Sequence, residues 1–116
     1  ARHLRKYDQN GNLIWETGGM FPAKFTELSS GDIISGNMTC HDVNKECIIT
    51  LISISSSGQQ NWYIEYDVPT LYSGRYYRIF DIFENNNDII IHYTNDYALN
   101  DGGVLIMDSN GTKLLP

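Results

Sequence analysis

The side chains able to do chemistry are few and scattered. His3, His41 and His92 are far apart, and none sits in a metal-pair or catalytic-triad motif. Two constellations are compact. Cys40, His41 and Cys47 bring together the ligand types of a zinc site, but without the C-x2-4-C spacing or a clear fourth ligand. Asp8, Asn10 and Asn12 alternate as in a calcium-binding loop, which would also need Gly at its sixth position and Glu at its twelfth; neither is there. The 14 acidic residues offer no pair to nominate for glycoside hydrolysis, and Asp32 and Asp88 stand at matching places after a turn, as strand-start residues would. The expectation is a chain with no metal, no cofactor and no catalytic residues.

Both constellations have a simpler place in hairpins. "YDQNGNLIWE", residues 7–16, reads as strand, turn, strand, because Asn-Gly adopts positive φ at low cost and joins antiparallel neighbours. Ser57-Gly58, Asn110-Gly111, Ser30-Gly31 and Asn86-Asn87 are further turn signals. Cys40 and Cys47 border a polar step between two strand-like runs, so they face each other across a hairpin. In a secreted protein they would staple it, and in a reducing cytosol they would remain thiols. Helical periodicity is lacking, while β-branched and aromatic residues cluster in short runs. Strands are expected at 2–8, 12–17, 23–29, 32–38, 47–55, 59–66, 75–84, 88–95, 103–109 and 112–116, which makes the fold class all-β.

Composition bounds the partners. With 116 residues, 41% hydrophobic and 12% aromatic, the chain can build one real core. A formal charge of −6 argues against nucleic acid, and Arg2, His3, Arg5 and Lys6 alternate across a strand as a solvated edge rather than a patch. No run approaches the roughly 18 apolar residues of a membrane helix, and "ARHLRKYDQN" lacks the apolar stretch of a signal peptide. No membrane insertion is expected.

The hairpins repeat. Gly11, Gly58 and Gly111 recur at intervals of 47 and 53 residues. Three residues before them stand Asp8, Ser55 and Asp108; one before stand Asn10, Ser57 and Asn110; four before stand Tyr7, Ile54 and Met107. Four residues after come Trp15, Trp62 and Leu115. A second echo aligns "FTELSSGDIISG" (25–36) with "FDIFENNNDIII" (80–91), with one residue inserted in the second copy. Four antiparallel strands every 40–50 residues is the arithmetic of a β-propeller blade. Residues 1–17 then supply half a blade, 23–67 a blade and 75–116 another, about two and a half in all. Such an open stack calls for self-association or for the remainder of a longer chain.

"LRKYDQNGNLIWE", "FTELSSGDIISGN" and "CIITLISISSSGQQNW" resemble the β-propeller repeats of secreted and surface bacterial proteins, whose pattern is roughly K-x-D-x-x-G-N-x-x-W followed by two apolar strands. Lys6, Asp8, Gly11, Asn12 and Trp15 match, with Gly31 and Gly36 in the next pair; Ser55 and Leu115 depart from it. The resemblance covers nearly the whole chain but is made of turn and core residues. It implies a scaffold or binding platform, no enzyme, and an extracellular or cell-surface setting, in which Cys40 and Cys47 would be a disulfide. Trp15 and Trp62 are expected between blades.

In an up-and-down sheet alternate connections leave at the same end. The tight turns fall at one end, and the longer connections, 17–23, 38–47, 67–75 and 95–103, share the other rim. His41, Asp42, Tyr72, Arg75, Asp96, Tyr97, Asn100 and Asp101 are the candidate ligand-binding residues there, since Tyr with Asn and Asp suits a carbohydrate or protein ligand. The alternative is a β-prism lectin of the mannose-binding type. "ENNNDIIIHY" (84–93) approaches its Q-x-D-x-N-x-V-x-Y motif, but with Glu84, Asn86, Asp88 and His92 in place of Gln, Asp, Asn and Tyr. A third reading is a fragment of a propeller enzyme. Asn37-Met38-Thr39 and Asn110-Gly111-Thr112 are glycosylation sequons, meaningful only in a eukaryotic secretory pathway.

Overall fold

The computed structural model describes residues 2–20, 24–41, 46–69, 77–95 and 102–115. They form ten strands and no helix: β1 (Arg2–Tyr7), β2 (Leu13–Met20), β3 (Lys24–Glu27), β4 (Ile33–His41), β5 (Glu46–Ile54), β6 (Gln60–Pro69), β7 (Tyr77–Asn85), β8 (Asp88–Asn95), β9 (Gly102–Met107) and β10 (Lys113–Leu115). All pairing is antiparallel. The strands make three sheets, β1-β2, β3-β4-β5-β6 and β10-β9-β8-β7, and no strand of one pairs with a strand of another. In chain order the sheets therefore have two, four and four strands, set by where connections keep neighbours adjacent.

Four turns share one geometry, a hairpin loop built on a turn that closes with a residue in the left-handed region. In each, the first residue's N–H donates to the carbonyl four residues on, and the glycine N–H donates back to the first residue's carbonyl: Asp8–Asn12, Leu28–Asp32, Ser55–Gln59 and Asp108–Thr112. Gly11, Gly31, Gly58 and Gly111 have φ between +85° and +94°, where a side chain would be strained. The fifth tight turn differs: Asn86 and Asn87, at φ 51° and 69°, form a two-residue loop between paired Asn85 and Asp88. Glu27 lies opposite Ile33 and Glu84 opposite Ile89, so the second copy's turn is one residue shorter, not longer, than the first. A register shift in β7 between Ile79 and Asp81 displaces Phe80, and Ile82, not Phe80, takes the place of Phe25.

The repeat extends to a bulge. Lys6 faces Trp15 and then Tyr7 faces Leu13; Ser53 faces Trp62 and then Ile54 faces Gln60; Ile106 faces Leu115 and Met107 faces Lys113. Each hairpin skips one residue at the same place.

The central sheet, β3–β6, is covered on both faces. Toward β7–β10 it presents Leu28, Ile34, Ile49, Leu51 and Val68, which pack with Ile79, Ile82, Ile89, Ile91, Leu105 and Met107. On its other face Ile33 and Ile54 meet Leu4 and Trp15 of β1–β2. The two-residue alternation of a strand sends Ile33 and Ile34 to opposite cores. β7 lies against β3 and β4, and the close approach depends on Gly36, where a Cβ would stand 2.8 Å from Leu51 and 2.9 Å from Ile82.

Candidate functional site

The molecule has two ends of different character. At one, the tight turns of neighbouring sheets touch. The Trp15 indole N–H donates to the Ser56 carbonyl at 3.0 Å, and that of Trp62 to Ser109 at 3.1 Å, in each case to the residue two before the next sheet's turn glycine. The rings cover those glycines: a Cβ on Gly58 would fall 2.7 Å from Trp15, and one on Gly111 would lie 3.3 Å from Trp62 and overlap Ile64. The glycine is thus required twice, by its φ and by the neighbouring indole. The Tyr66 hydroxyl adds a bond to the Gly111 carbonyl at 2.6 Å, and desolvation, with the Asp108 charge second, raises its pKa.

The side chains of Asp8, Asn12, Ser55 and Asp108 are occupied in holding these turns. Asp8 Oδ1 accepts from the N–H of Asn10 and of Asn12, both at 2.9 Å, and Oδ2 from the Asn12 side-chain amide at 3.3 Å. The Asn12 N–H is the main reason its carboxyl titrates below the usual carboxylate range. Asp108 does the same for Asn110 and Thr112, and the Ser55 hydroxyl for Gln59. The alternation of Asp8, Asn10 and Asn12 is thereby accounted for by turn chemistry. Between the sheets, Glu84 accepts from the Ser29 N–H at 2.8 Å and its hydroxyl at 3.2 Å. A cleft of about 240 Å³ lies there, lined by Leu28, Ser29, Ser30, Asp32, Glu84, Asn87, Ser109 and Asn110.

β2, β4, β6 and β8 all finish at the opposite end. Of the candidate binding residues, Asp42, Tyr72, Arg75, Asp96, Tyr97, Asn100 and Asp101 lie outside the described residues, and His41 closes β4 opposite Glu46. The base of this end is fixed covalently. Cys40 and Cys47 pair directly across β4 and β5, with Cα atoms 4.1 Å apart, and are joined as a disulfide. On the chain-entropy scale a loop this short gains roughly 2.5 kcal/mol. The bond removes both thiolates from the zinc reading, and among the described residues no three His, Cys, Asp or Glu side chains converge on a metal position.

A third feature is an open groove of about 540 Å³ at the free edge of β1, lined by Leu4 to Tyr7, Phe25, Thr26, Glu27 and Ile33. Lys6 reaches Glu27 across it at 3.6 Å, and Arg5 pairs with Glu16 on the neighbouring strand. His92 lies edge-on to Phe80, with ring centroids 5.3 Å apart, on the face of β7–β10 turned away from the core. Tyr93 is on the inward face beside Gly103, and burial raises its pKa.

Sequence reasoning did not single out Tyr66 or Glu84 as bridges between sheets. Gly19 stands at the position of Tyr66 in the first copy, so the repeat carries no signal for that bond. Glu84 and Ser29 are 55 residues apart, and only the packing of the sheets brings them together. Among the described residues no helix is long and apolar enough to cross a membrane. Comparison with protein-family models, with curated proteins and with solved structures found no match to this chain.

Proposed function

We propose that the chain is a stretch of β-propeller, about two and a half blades, that serves a secreted or cell-surface protein as a non-catalytic scaffold and recognises protein or carbohydrate at its long-connection end. The observation that carries this reading is the recurrence of one unit: glycine turn, bulge, and a tryptophan that closes on the next sheet's turn. Sheets related by such a unit are rotated by the same step each time, which is how propellers and solenoids are generated. The disulfide is compatible with an oxidising compartment. The reading puts recognition at the long connections because, at the tight-turn end, the Asp8 and Asp108 carboxylates are engaged with their own backbone.

The test is an immobilised panel of glycans and peptides probed with the oxidised 116-residue chain. Binding that is lost in Tyr72→Ala or Tyr97→Ala and kept in Asn10→Ala supports the reading. No binding anywhere on the panel, or binding lost through the tight-turn variant, overturns it. Mannose binding lost through Asp88→Ala would instead favour the lectin alternative.

A further inference from the structure

The four glycine turns share a backbone but not a side-chain pattern. In the turns that begin at Asp8, Ser55 and Asp108, the first side chain accepts from the N–H of the fifth residue, Asn12, Gln59 and Thr112. The β3–β4 turn is built differently. Its first residue, Leu28, is buried in the core, and its acid, Asp32, stands at the fifth place. The Ser30 hydroxyl accepts the Asp32 N–H at 3.3 Å, and Glu84 of the facing sheet takes the Ser29 N–H. The Asp32 carboxylate is therefore left over, with no hydrogen bond or ion pair to a described residue. The side-chain amides of Asn87 and Asn110 are uncommitted in the same sense.

All three groups line the cleft of about 240 Å³ between β3–β6 and β7–β10. Its walls are the tight turns that follow β3, β7 and β9. Two bonds from the central sheet to the other hold those walls at a fixed spacing, Trp62 to Ser109 and Ser29 to Glu84. A site set before its ligand arrives loses less on binding. Asn87 has φ 69° and is second in a two-residue loop where glycine is the common choice, so an amide is retained at the cleft where the backbone alone would favour glycine.

We propose that this cleft is a second binding site, and that its ligand is a hydroxylated primary amine the size of one pyranose ring, the chemistry of an amino sugar. Charge selects the amine. Asp32 and Glu84 both line the cleft, none of its lining residues is Lys, Arg or His, and the chain carries a formal charge of −6. An ammonium beside these carboxylates makes charge-assisted hydrogen bonds, and an anion is repelled. The two amides select hydroxyls, because each offers a donor and an acceptor, as a sugar hydroxyl does. Size sets the limit of one ring, since the volume lies just below the roughly 300 Å³ at which drug-sized pockets begin. The site goes beyond the recognition proposed at the long connections and does not rest on it, because every group that forms it belongs to the tight-turn end.

The experiment is a titration of the oxidised, isotope-labelled chain with glucosamine, glucose and Nα-acetyl-lysine amide at about pH 6, where the amines are protonated. NMR follows the side-chain amides of Asn87 and Asn110 and the backbone of residues 29–32. Glucosamine is expected to shift these signals saturably, with a dissociation constant of about a millimolar. Glucose, which lacks the ammonium, is expected to bind about tenfold more weakly or less. Asp32→Asn is expected to weaken glucosamine by about tenfold or more, and the equivalent Asn12 shows that the turn accepts asparagine there. Asn87→Gly, which suits the positive φ, is expected to lose up to about tenfold. Asp67→Asn removes the same charge from an exposed place on β6 outside the cleft and is expected to leave the affinity unchanged. No saturable shift with glucosamine overturns the proposal, as does equal binding of glucose, an unchanged affinity in Asp32→Asn, or an equal loss in Asp67→Asn. Lysine amide binding as tightly as glucosamine also overturns it, since the hydroxyls would then not be read. Tyr72→Ala is expected to leave glucosamine binding intact, so failure at the cleft and failure of the long-connection reading show in different variants.

Discussion

The sheet β3–β6 and the sheet β7–β10 are built from the same turn, the same bulge and strands of similar apolar content, yet one is covered on two faces and the other on one. Ile34 is fully buried, while its counterpart Ile90 is only partly so; Leu51 is fully buried and Val104 is 42% exposed. The difference lies not in the residues but in what packs on each face among the described residues. A strand pattern specifies a face able to be buried, and burial itself is a property of the stack.

The largest effect that can break this comparison is truncation of the equivalent pair. Leu51→Ala removes a side chain from the shared core and should cost about 3 kcal/mol, whereas Val104→Ala should cost less than about 1 kcal/mol. Urea denaturation of the dilute chain checks both. Equal losses would mean that Val104 is buried in solution.

Next come the turn glycines. Gly11→Ala meets only the strain of its φ, roughly 1 kcal/mol, while Gly58→Ala also collides with the Trp15 ring and should cost roughly 2–3 kcal/mol. The measured gap between their denaturation midpoints isolates the neighbouring sheet's contribution. If the two midpoints coincide, Trp15 does not seat on that turn.

Trp15→Phe keeps most of the ring and deletes the N–H that reaches Ser56, for a loss of about 1 kcal/mol. The same substitution at Trp62 should cost a similar amount, with Tyr66 still bridging to Gly111. A markedly larger loss at Trp15 would show that β1–β2, held by fewer contacts, depends on that single latch.

The smallest expected effect is a pH dependence. Asp8 has a folded-state pKa depressed chiefly by the Asn12 N–H, so its contribution is present above the unfolded value near 3.9 and is lost as pH falls below it. Asp8→Ala should flatten slightly the acid limb of stability below about pH 4 and leave stability at alkaline pH without further slope. Since the side chain is on the surface, added salt should narrow the difference. An unchanged acid limb would mean that the turn forms without the carboxylate.

Much of this was legible in advance. All ten strands occur where apolar runs and turn signals placed them, with ends shifted by a few residues, because alternation and turn chemistry are local. The Asp-x-Asn-Gly hairpins follow from side-chain bonds spanning two to four residues. The second echo was aligned through Phe25 and Phe80, and the structure moves it to Phe25 and Ile82. An irregularity in β7 and a shorter Asn-Asn turn offset each other, and neither leaves a mark on the apolar pattern. Of the long-connection residues only His41 falls within the described strands, since those segments are tied by no repeating pattern.

The glycine turns and the two-sidedness of each strand are set by interactions among residues close along the chain, and could be read from the sequence. Packing of the sheets settles that Trp15 closes on Gly58 and Trp62 on Gly111, and that Glu84 caps Ser29. It also decided that Tyr7 and Val104, apolar like their counterparts, are left in water. Those outcomes depend on which surfaces come to face each other across 40 to 55 residues of chain, and a residue's own neighbours in sequence carry no information about what will cover it.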